Sequence, residues 1–288
     1  MIVRLIGKLF KAILSVLFTL VLIAIGLYIY ARYIEPELLI VKEEKIITSH
    51  LQWGKEGIRI VQFSDLHLGE NYTISHLQRV VQQINELEPD LVIFSGDLVD
   101  NNKQFNEVKE TIKALGRIEA SLGKYAVYGN HDHGANGTKQ YQKIMKEAGF
   151  RLLKNESHKL KLSSGEYINI IGCDDILLGK MDISAAMQDI HEEDFNLFIS
   201  HAPDIADQIL KYPIDLQMSG HSHGGQVSIP FIGAPFTPPY GSKYVSGKYS
   251  FNENKRMLLY VNTGIGTSQL HFRFCNVPQI TLFVLSSE

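Results

Sequence analysis

The chain has few cysteines and no long block of basic residues. Its two cysteines, Cys173 and Cys275, provide neither the disulfides of a small secreted scaffold nor a thiolate zinc site. One bridge between them is the alternative outside the cytoplasm, but we expect two single, buried thiols. The formal net charge is -3, and without a basic stripe we expect no nucleic-acid surface. The sequence shows no internal repeat and no sign of an obligate protein partner.

Long apolar runs are also scarce, with one exception near the N-terminus. Residues 12–30 read AILSVLFTLVLIAIGLYIY without a charged residue, which is long enough to span a bilayer as a helix. Arg4, Lys8 and Lys11 precede the run, and this excess of positive charge predicts a cytoplasmic N-terminus and an extracytoplasmic remainder. The alternative is a cleaved signal peptide and a secreted protein. Its apolar region is usually only about 7–15 residues long, and no small-x-small cleavage site stands out.

We therefore expect three parts in the chain. Residues 1–34 form a cytoplasmic stub and a transmembrane anchor in the cell membrane, residues 35–57 a connector, and residues 58–288 one large domain. Within that domain the β-prone runs IRIVQFSD (58–65), LVIFSGD (91–97) and KYAVYGN (124–130) alternate with helical patterns. Ser75 and Gln78 are spaced as a capping box for the first of these helices. This alternation predicts an α/β fold with a partly parallel sheet covered by helices.

Five of the predicted strands end in Asp, Asn or His. In SGHSHGG (219–225), His221 and His223 are two positions apart and share one face of extended backbone, while the flanking glycines permit a close approach. The other strand ends carry Asp65, His67, Asp97, Asp100, Asn130, His131 and His201. Ligands of α/β sheets bind beyond the carboxyl ends of the strands. Each motif alone is compatible with a turn or a helix cap, but five coincidences at one topological position favour a metal site.

The same motifs resemble a known family. In sequence order, DLH, GDLVD, GNHD, a solitary His201 before Ala-Pro, and GHSH are similar to the motif set of the calcineurin-like metallophosphoesterases. The resemblance covers residues 58–288 and implies a four-layer αββα sandwich of mixed sheets, here preceded by one N-terminal transmembrane helix. The segments GGQVSIPFIGAPF, YVNTGIGTS, HFRF and PQITLF resemble the membrane-associated bacterial branch related to UDP-2,3-diacylglucosamine pyrophosphatase.

The resemblance implies that seven side chains hold two divalent metal ions. They are Asp65, His67 and His223 for one ion, Asn130, His201 and His221 for the other, and Asp97 as the bridge. Nitrogen and oxygen donors without thiolate suit manganese, iron or zinc, of which manganese is favoured. Two ligating carboxylates leave net positive charge in the crevice, which attracts phosphate and lowers the pKa of a bridging water.

His131 and Asp100 are the catalytic candidates. The resemblance implies that His131 stabilises or protonates the leaving-group oxygen and that Asp100 orients its imidazole. A helix N-cap is the alternative for Asp100, because a helical pattern follows it. Asp132 is expected to support the site from behind, and Arg273 in HFRF to contact the substrate. Residues 230–244 are expected to shape the pocket.

The expected function is hydrolysis of a phosphoester or pyrophosphate in a phosphorylated small molecule or lipid. Protein phosphatases of this superfamily have Arg-Gly after the second aspartate, where this chain has Asn101 and Asn102, so a protein substrate is not expected. One alternative is a cytosol-facing pyrophosphatase of a nucleotide-linked lipid, which needs the opposite topology. Another is a binding scaffold without catalysis, but such a protein would be expected to have lost ligands or His131.

Overall fold

The N-terminal segment is one continuous helix. The computed structural model describes residues 2–51 and 57–287, and it begins with helix α1 (Ile2–Ile29). A π-helical turn (Tyr30–Ile34) and a 3-10 turn (Glu35–Glu37) follow directly. Among the described residues, this is the one helix long and apolar enough to cross a membrane, and its most apolar window is not buried by the rest of the protein. It is therefore a candidate membrane span, at the place that the sequence predicts.

Twelve strands and six further helices are described after the anchor helix. The helices are α2 (Ile74–Glu86), α3 (Val108–Leu115), α4 (Asn130–His133), α5 (Thr138–Glu147), α6 (Ile183–Ala186) and α7 (Ala206–Ile209). The strands are β1 (Ile40–Ile47), β2 (Ile58–Phe63), β3 (Leu91–Phe94), β4 (Gly123–Ala126), β5 (Arg151–Leu152), β6 (Glu156–Lys161), β7 (Tyr167–Gly172), β8 (Phe195–Ile199), β9 (Leu216–Ser219), β10 (Gly247–Ser250), β11 (Leu258–Val261) and β12 (Gln279–Ser286).

The strands form two mixed six-stranded sheets. The first has the order β1-β12-β2-β3-β4-β5 and the second β10-β11-β9-β8-β7-β6. Strands β2 to β5 are parallel, and so are β7, β8, β9 and β11. Strand β1 lies in the segment expected to be a connector. It pairs with β12 from Ile40 opposite Gln279 to Ile47 opposite Ser286, so this part of the segment belongs to the sheet.

Three apolar cores separate four layers. One core lies between the two sheets, a second packs α2, α3 and α5 onto the first sheet, and a third packs α6 and α7 onto the second. Strand β8 shows how the sequence achieves this, because Leu197 contributes to the core between the sheets and its neighbour Phe198 to the outer core. Successive strand residues point to opposite faces, so a strand covered on both sides is largely apolar. The predicted four-layer αββα sandwich is confirmed.

Two local predictions have different outcomes. The capping box predicted at Ser75 and Gln78 is wrong, since α2 begins at Ile74 and the backbone N–H of Thr73 donates to Nδ1 of His76 at 3.0 Å. A histidine at the third helical position takes the acceptor role that Glu or Gln usually has. Both cysteines are free, and Cys173 is buried as predicted, but the prediction of a buried thiol is wrong for Cys275, which is exposed.

The topology places α1 and the polar strand ends at the same end of the molecule. Strand β12 runs antiparallel to β2, with Thr281 opposite Gln62, and β1 is parallel to β12. The first residue of β1, Ile40, therefore lies at the end of the sheet where β2 finishes with Phe63. Because α1 leads into β1 through two short turns, α1 also meets the domain at this end.

Candidate active site

The ends of β2 and β9 bring together Asp65, His67 and His223. The Nε2 atoms of His67 and His223 are 3.0 Å apart, and Nε2 of His223 lies 3.4 Å from Oδ1 of Asp65. All three side chains are buried. Each offers one ligand atom within 4.8 Å of the others, which is close enough for one metal ion to contact all three.

A second group consists of Asp97, His201 and His221. Nε2 of His201 lies 3.2 Å from Oδ2 of Asp97 and 3.1 Å from Nδ1 of His221. The same Asp97 oxygen is 3.6 Å from Nε2 of His67 in the first group. Asp97 therefore stands between the two groups, in the position that a bridging carboxylate needs.

The ring tautomers in the second group follow from backbone carbonyls, which can only accept hydrogen bonds. Nδ1 of His201 lies 2.8 Å from the carbonyl oxygen of Ser95, so Nδ1 donates and Nε2 carries the lone pair. Nε2 of His221 lies 2.8 Å from the carbonyl oxygen of Pro239, so its Nδ1 carries the lone pair. Two lone pairs and the Asp97 carboxylate thus converge, and such a group requires a positive charge at its centre.

The electrostatics of the buried groups agree with that requirement. Burial acts to lower the pKa of His201, but the carboxylates of Asp97 and Asp65 outweigh it and raise the pKa to about 10. Burial lowers the pKa of His223 well below the usual histidine value, and the neighbouring His67 lowers it further. A proton on His201 and a bound metal ion are alternative sources of the positive charge, and the neutral form of His223 is the form that binds metals.

Asn130 supplies an independent test of whether a metal fits. Its Oδ1 atom is buried and has no hydrogen-bond partner among the described residues. Leaving a polar atom in this state is costly unless a ligand binds it. Asn130 is the first residue of α4, four positions after the last residue of β4, and it lines the same cavity as His221. The donor atoms present therefore fit divalent metal ions.

Backbone strain is concentrated at these residues. Five of the predicted ligands have left-handed φ angles, which are uncommon outside glycine: Asp65 (53°), His67 (46°), Asp97 (62°), His221 (67°) and His223 (51°). Strained conformations of this kind persist at functional sites where the surroundings impose them.

Glycines beside the predicted ligands allow the backbone to pass close to other ligands. A Cβ atom on Gly220 would lie 2.3 Å from Oδ2 of Asp65, and one on Gly129 would lie 2.2 Å from Oδ1 of Asp97. Any other residue at these positions would displace a predicted ligand. The small neighbours therefore let several loops approach one point closely.

A family model described as calcineurin-like phosphoesterase matches residues 58–225. The matched range begins with β2 and ends just beyond His223, so it contains all seven predicted ligands. The chain belongs to the calcineurin-like phosphoesterase family. As a member of this family, it is a metal-dependent phosphoesterase.

Several relatives of this phosphoesterase extend over almost its whole length. An uncharacterized metallophosphoesterase of Bacillus subtilis, YkuE, is 40% identical over 262 residues, which are 91% of each chain. UDP-2,3-diacylglucosamine pyrophosphatase LpxG of Chlamydia trachomatis is 30% identical, with 88% of this chain and 92% of LpxG covered. A transmembrane protein with a metallophosphoesterase domain from Danio rerio is 29% identical over 97% of this chain and 63% of its own length.

In this phosphoesterase His131 stands beside the first group of ligands. Its ring packs edge-on against His67, with 4.6 Å between centroids, and its backbone N–H donates to Oδ1 of Asp97 at 2.9 Å. Nδ1 of His131 donates to the carbonyl oxygen of Asp100 at 2.9 Å. This bond leaves Nε2 of His131 as the nitrogen available to a substrate in the cavity that His131 lines.

Asp100 contacts two histidines in different ways. Its carboxylate lies 3.5 Å from Nδ1 of His67 and 3.8 Å from Nδ1 of His131, whereas its backbone carbonyl makes the hydrogen bond to His131. The alternative of a helix N-cap is wrong, because the next helix, α3, begins only at Val108. That Asp100 serves catalysis stays a prediction, and the contact through its main chain is a feature that the sequence does not reveal.

Asp132 supports the site from behind, whereas its neighbour His133 points to Asp174. The buried carboxylate of Asp132 accepts the backbone N–H groups of Asp97, Leu98 and Gly129 at 2.9, 2.9 and 2.7 Å, so it ties two ligand-bearing loops together. Nε2 of His133 lies 2.7 Å from Oδ1 of Asp174.

Arg273 does not lie where the sequence suggested. Its side chain is fully buried, and its guanidinium donates to the carbonyl oxygens of Thr263, Gly266 and Asn276. It is not among the residues that line the cavity. A guanidinium with five donors can hold several carbonyls at once, so Arg273 stabilises a loop where contact with the substrate was expected.

The cavity above the ligands has a polar and an apolar side. Its volume is about 540 Å³, within the usual range for small-molecule sites. The apolar wall consists of Leu177, Val227, Phe236, Pro238, Pro239, Leu270 and Phe272. Three of these lie in the segment 230–244 that was expected to shape the pocket. Leu177, Leu270 and Phe272 are additions that no local sequence signal identifies.

Proposed function

We propose that this phosphoesterase is anchored in the cell membrane and uses two divalent metal ions to hydrolyse a phosphoester or pyrophosphate. The observation that supports this most directly is the position of Asp97 between two groups of donor atoms. A single structural ion would need only one such group, whereas hydrolysis at a dinuclear centre needs both.

The seven predicted ligands form two groups that share one carboxylate. Asp65, His67 and His223 would hold one ion, Asn130, His201 and His221 would hold the other, and Asp97 would contact both. Bound there, manganese, iron or zinc supplies positive charge for the phosphate and lowers the pKa of a water molecule, with manganese favoured. The ligand set contains only two carboxylates, so it does not cancel the charge that attracts the substrate.

His131 is placed to protonate the leaving group. The hydrogen bond from its Nδ1 to the Asp100 carbonyl fixes the ring so that Nε2 can donate a proton to the departing oxygen. The carboxylate of Asp100, which lies near both His131 and His67, maintains negative charge beside these rings. We infer from this placement that His131 is the general acid and Asp100 its positioning residue.

The orientation in the membrane follows from charge. Arg4, Lys8 and Lys11 precede the apolar run, and such residues are retained in the cytoplasm. The domain then lies outside the membrane, and its substrate is a phosphorylated small molecule or lipid of the cell envelope. A C-terminal reporter fusion tests this arrangement: an alkaline phosphatase fusion should be active, and a green fluorescent protein fusion dark.

A second candidate function has an observation in its favour. LpxG, at 30% identity, is named as a UDP-2,3-diacylglucosamine pyrophosphatase, and an apolar wall beside a polar centre suits a substrate with a lipid and a phosphate part. Such a nucleotide-linked lipid is made in the cytoplasm, so this function requires the domain to face the cytosol.

Turnover by the purified full-length chain tests the proposal. Metal-stripped protein in detergent would be reconstituted with one metal at a time and assayed on phosphomonoesters, phosphodiesters and nucleotide-lipid pyrophosphates. We expect activity only with metal added, with two ions per chain at saturation. Saturation at one ion per chain, or hydrolysis by the metal-stripped protein, would contradict the dinuclear proposal.

A further inference from the structure

An apolar surface is exposed beside the mouth of the cavity. We call it the apolar rim, and it consists of Ile229, Phe231, Ile232, Phe236 and Leu270, whose exposed fractions range from 38% to 110%. Phe236 and Leu270 also belong to the apolar wall of the cavity. Soluble proteins rarely expose large apolar side chains side by side unless a partner covers them.

The rim is a rigid feature of the backbone. Ile229 and Gly233 exchange backbone hydrogen bonds of 2.9 and 2.8 Å, which closes a tight turn with Phe231 near its tip. The turn is attached to the segment 270–274 because the N–H of Ser228 donates to the carbonyl oxygen of Phe274 at 2.8 Å.

The same segment 270–274 carries the end of the anchor helix. The ring of Tyr28 lies 5.3 Å from that of Phe272, and the ring of Tyr30 lies 6.5 Å from that of Phe274. The backbone N–H of Arg273 donates to the carbonyl oxygen of Ala31 at 2.9 Å. The rim and the end of α1 are therefore fastened to one short piece of chain, at the end of the sheets where the ligands lie.

We propose that the apolar rim inserts into the interface of the bilayer that holds α1, so that the cavity opens at the lipid surface. The occupant is lipid because the rim and the end of the membrane span are attached to the same segment, 270–274. A bilayer must lie close to Tyr28, and apolar side chains next to it lose contact with water when they enter it. Aromatic and branched aliphatic side chains are the types that such interfacial segments use. This inference depends on α1 spanning the membrane, which is part of the proposed function.

A depth measurement tests the rim directly. The chain has one tryptophan, Trp53, so Trp53→Phe gives a background in which a single reporter can be placed in the full-length protein. Phe231→Trp would be compared with Ile47→Trp, which is 66% exposed at the opposite end of β1. In nanodiscs made with brominated acyl chains we expect strong quenching of Phe231→Trp and none of Ile47→Trp.

A third reporter separates the rim from the anchor. Leu17→Trp, in the middle of α1, should be quenched if the helix spans the bilayer. Quenching of Leu17→Trp without quenching of Phe231→Trp would overturn the rim proposal and leave the anchor intact. If neither Leu17→Trp nor Phe231→Trp is quenched, the membrane span and the rim proposal are both wrong. A blue-shifted but unquenched Phe231→Trp would mean that protein, such as a second copy of the chain, covers the rim, which also contradicts the proposal.

A charged substitution in the rim gives a second test, with enzyme activity as the control for folding. Ile232→Asp alters the rim without touching the cavity lining, so hydrolysis of soluble p-nitrophenyl phosphate should be unchanged. In the same brominated nanodiscs, the quenching of a tryptophan reporter at position 231 should fall several-fold. Unchanged quenching in this variant would show that the rim does not enter the lipid.

Discussion

Glu35, at the end of the anchor, accepts the backbone N–H group of Asn276, and Asn276 in turn holds a predicted metal ligand. The Glu35 carboxylate is fully buried and also accepts the N–H of Cys275 at 2.9 Å. The side-chain amide of Asn276 donates to the backbone carbonyl of His223. The turn that follows α1 is therefore part of the support of the predicted metal site, and a cut through it would alter both.

We expect Glu35→Ala to destabilise the domain by about 1–3 kcal/mol, because the buried N–H group of Asn276 and the partly buried N–H group of Cys275 would lose their acceptor. The loop that carries Asn276 should loosen, so one metal ion should also dissociate faster. Thermal unfolding in detergent and metal release to a chelator measure the two effects. Glu37→Ala is the matched control. Its partly exposed carboxylate pairs with Arg79 at 3.2 Å, and such pairs contribute at most about 1 kcal/mol. Equal effects of the two substitutions would refute the special role of Glu35.

Asp97→Asn should remove at least one metal ion and nearly all activity while the fold remains intact. The substitution removes the negative charge that lies 3.2 Å from His201 and 3.6 Å from His67. Elemental analysis of purified protein and circular dichroism measure metal content and folding. Asp100→Asn is the control, since its half-exposed carboxylate is not a predicted ligand and both metals should stay. If Asp97→Asn retains two ions and full turnover, Asp97 is not part of the site.

Substitutions at the neighbouring residues Asn130 and His131 should impair the enzyme in different ways. Asn130→Ala should weaken binding of one ion, and excess metal should restore part of the rate. His131→Ala should keep both ions but slow turnover by about 10²–10⁴-fold, the usual contribution of general acid catalysis.

Substrates with different leaving groups test whether His131 acts as the general acid. p-Nitrophenolate departs readily without a proton, so the His131→Ala variant should lose far less activity on p-nitrophenyl phosphate than on an alkyl phosphoester. Equal losses on both substrates, or loss of a metal ion, would show that His131 is a ligand or a structural residue.

Acid should destabilise the domain partly through Asp174. Burial acts to raise the pKa of this carboxyl, but the hydrogen bond to His133 and the backbone N–H of Lys180 outweigh it and lower the pKa to about 2. A depressed native pKa means that the stabilisation is complete above pH 4 and is lost as the pH falls from there toward 2. The melting temperature of Asp174→Asn should therefore be lower than that of the wild type at pH 6, and the difference should shrink at pH 3. A difference that is constant with pH would contradict this assignment.

The sequence by itself determined the strands β2, β3 and β4, the helical patterns that alternate with them, and the Asp, Asn and His residues that follow the strands. Each of these is a local property. Strands covered on both sides are apolar, as β3 is, helices bury one residue in three or four, as α2 does, and Asp65 and His201 each come two residues after the end of their strand. Local patterns of this kind survive in any tertiary context, so they can be read along the chain.

The tertiary structure alone decided the contacts between distant parts of the chain. Glu35 and Cys275 are 240 positions apart, and β1 pairs with β12 over a similar separation, so no periodicity connects them. Arg273 looks in the sequence like a residue for binding phosphate, yet it is buried because three backbone carbonyls converge on its guanidinium. The apolar wall of the cavity likewise joins Leu177 with Leu270, which are far apart in the sequence. Which loops meet above the predicted metal site depends on how the two sheets pack against each other. The free energy of that packing is distributed over the whole interior, so no single segment reveals it.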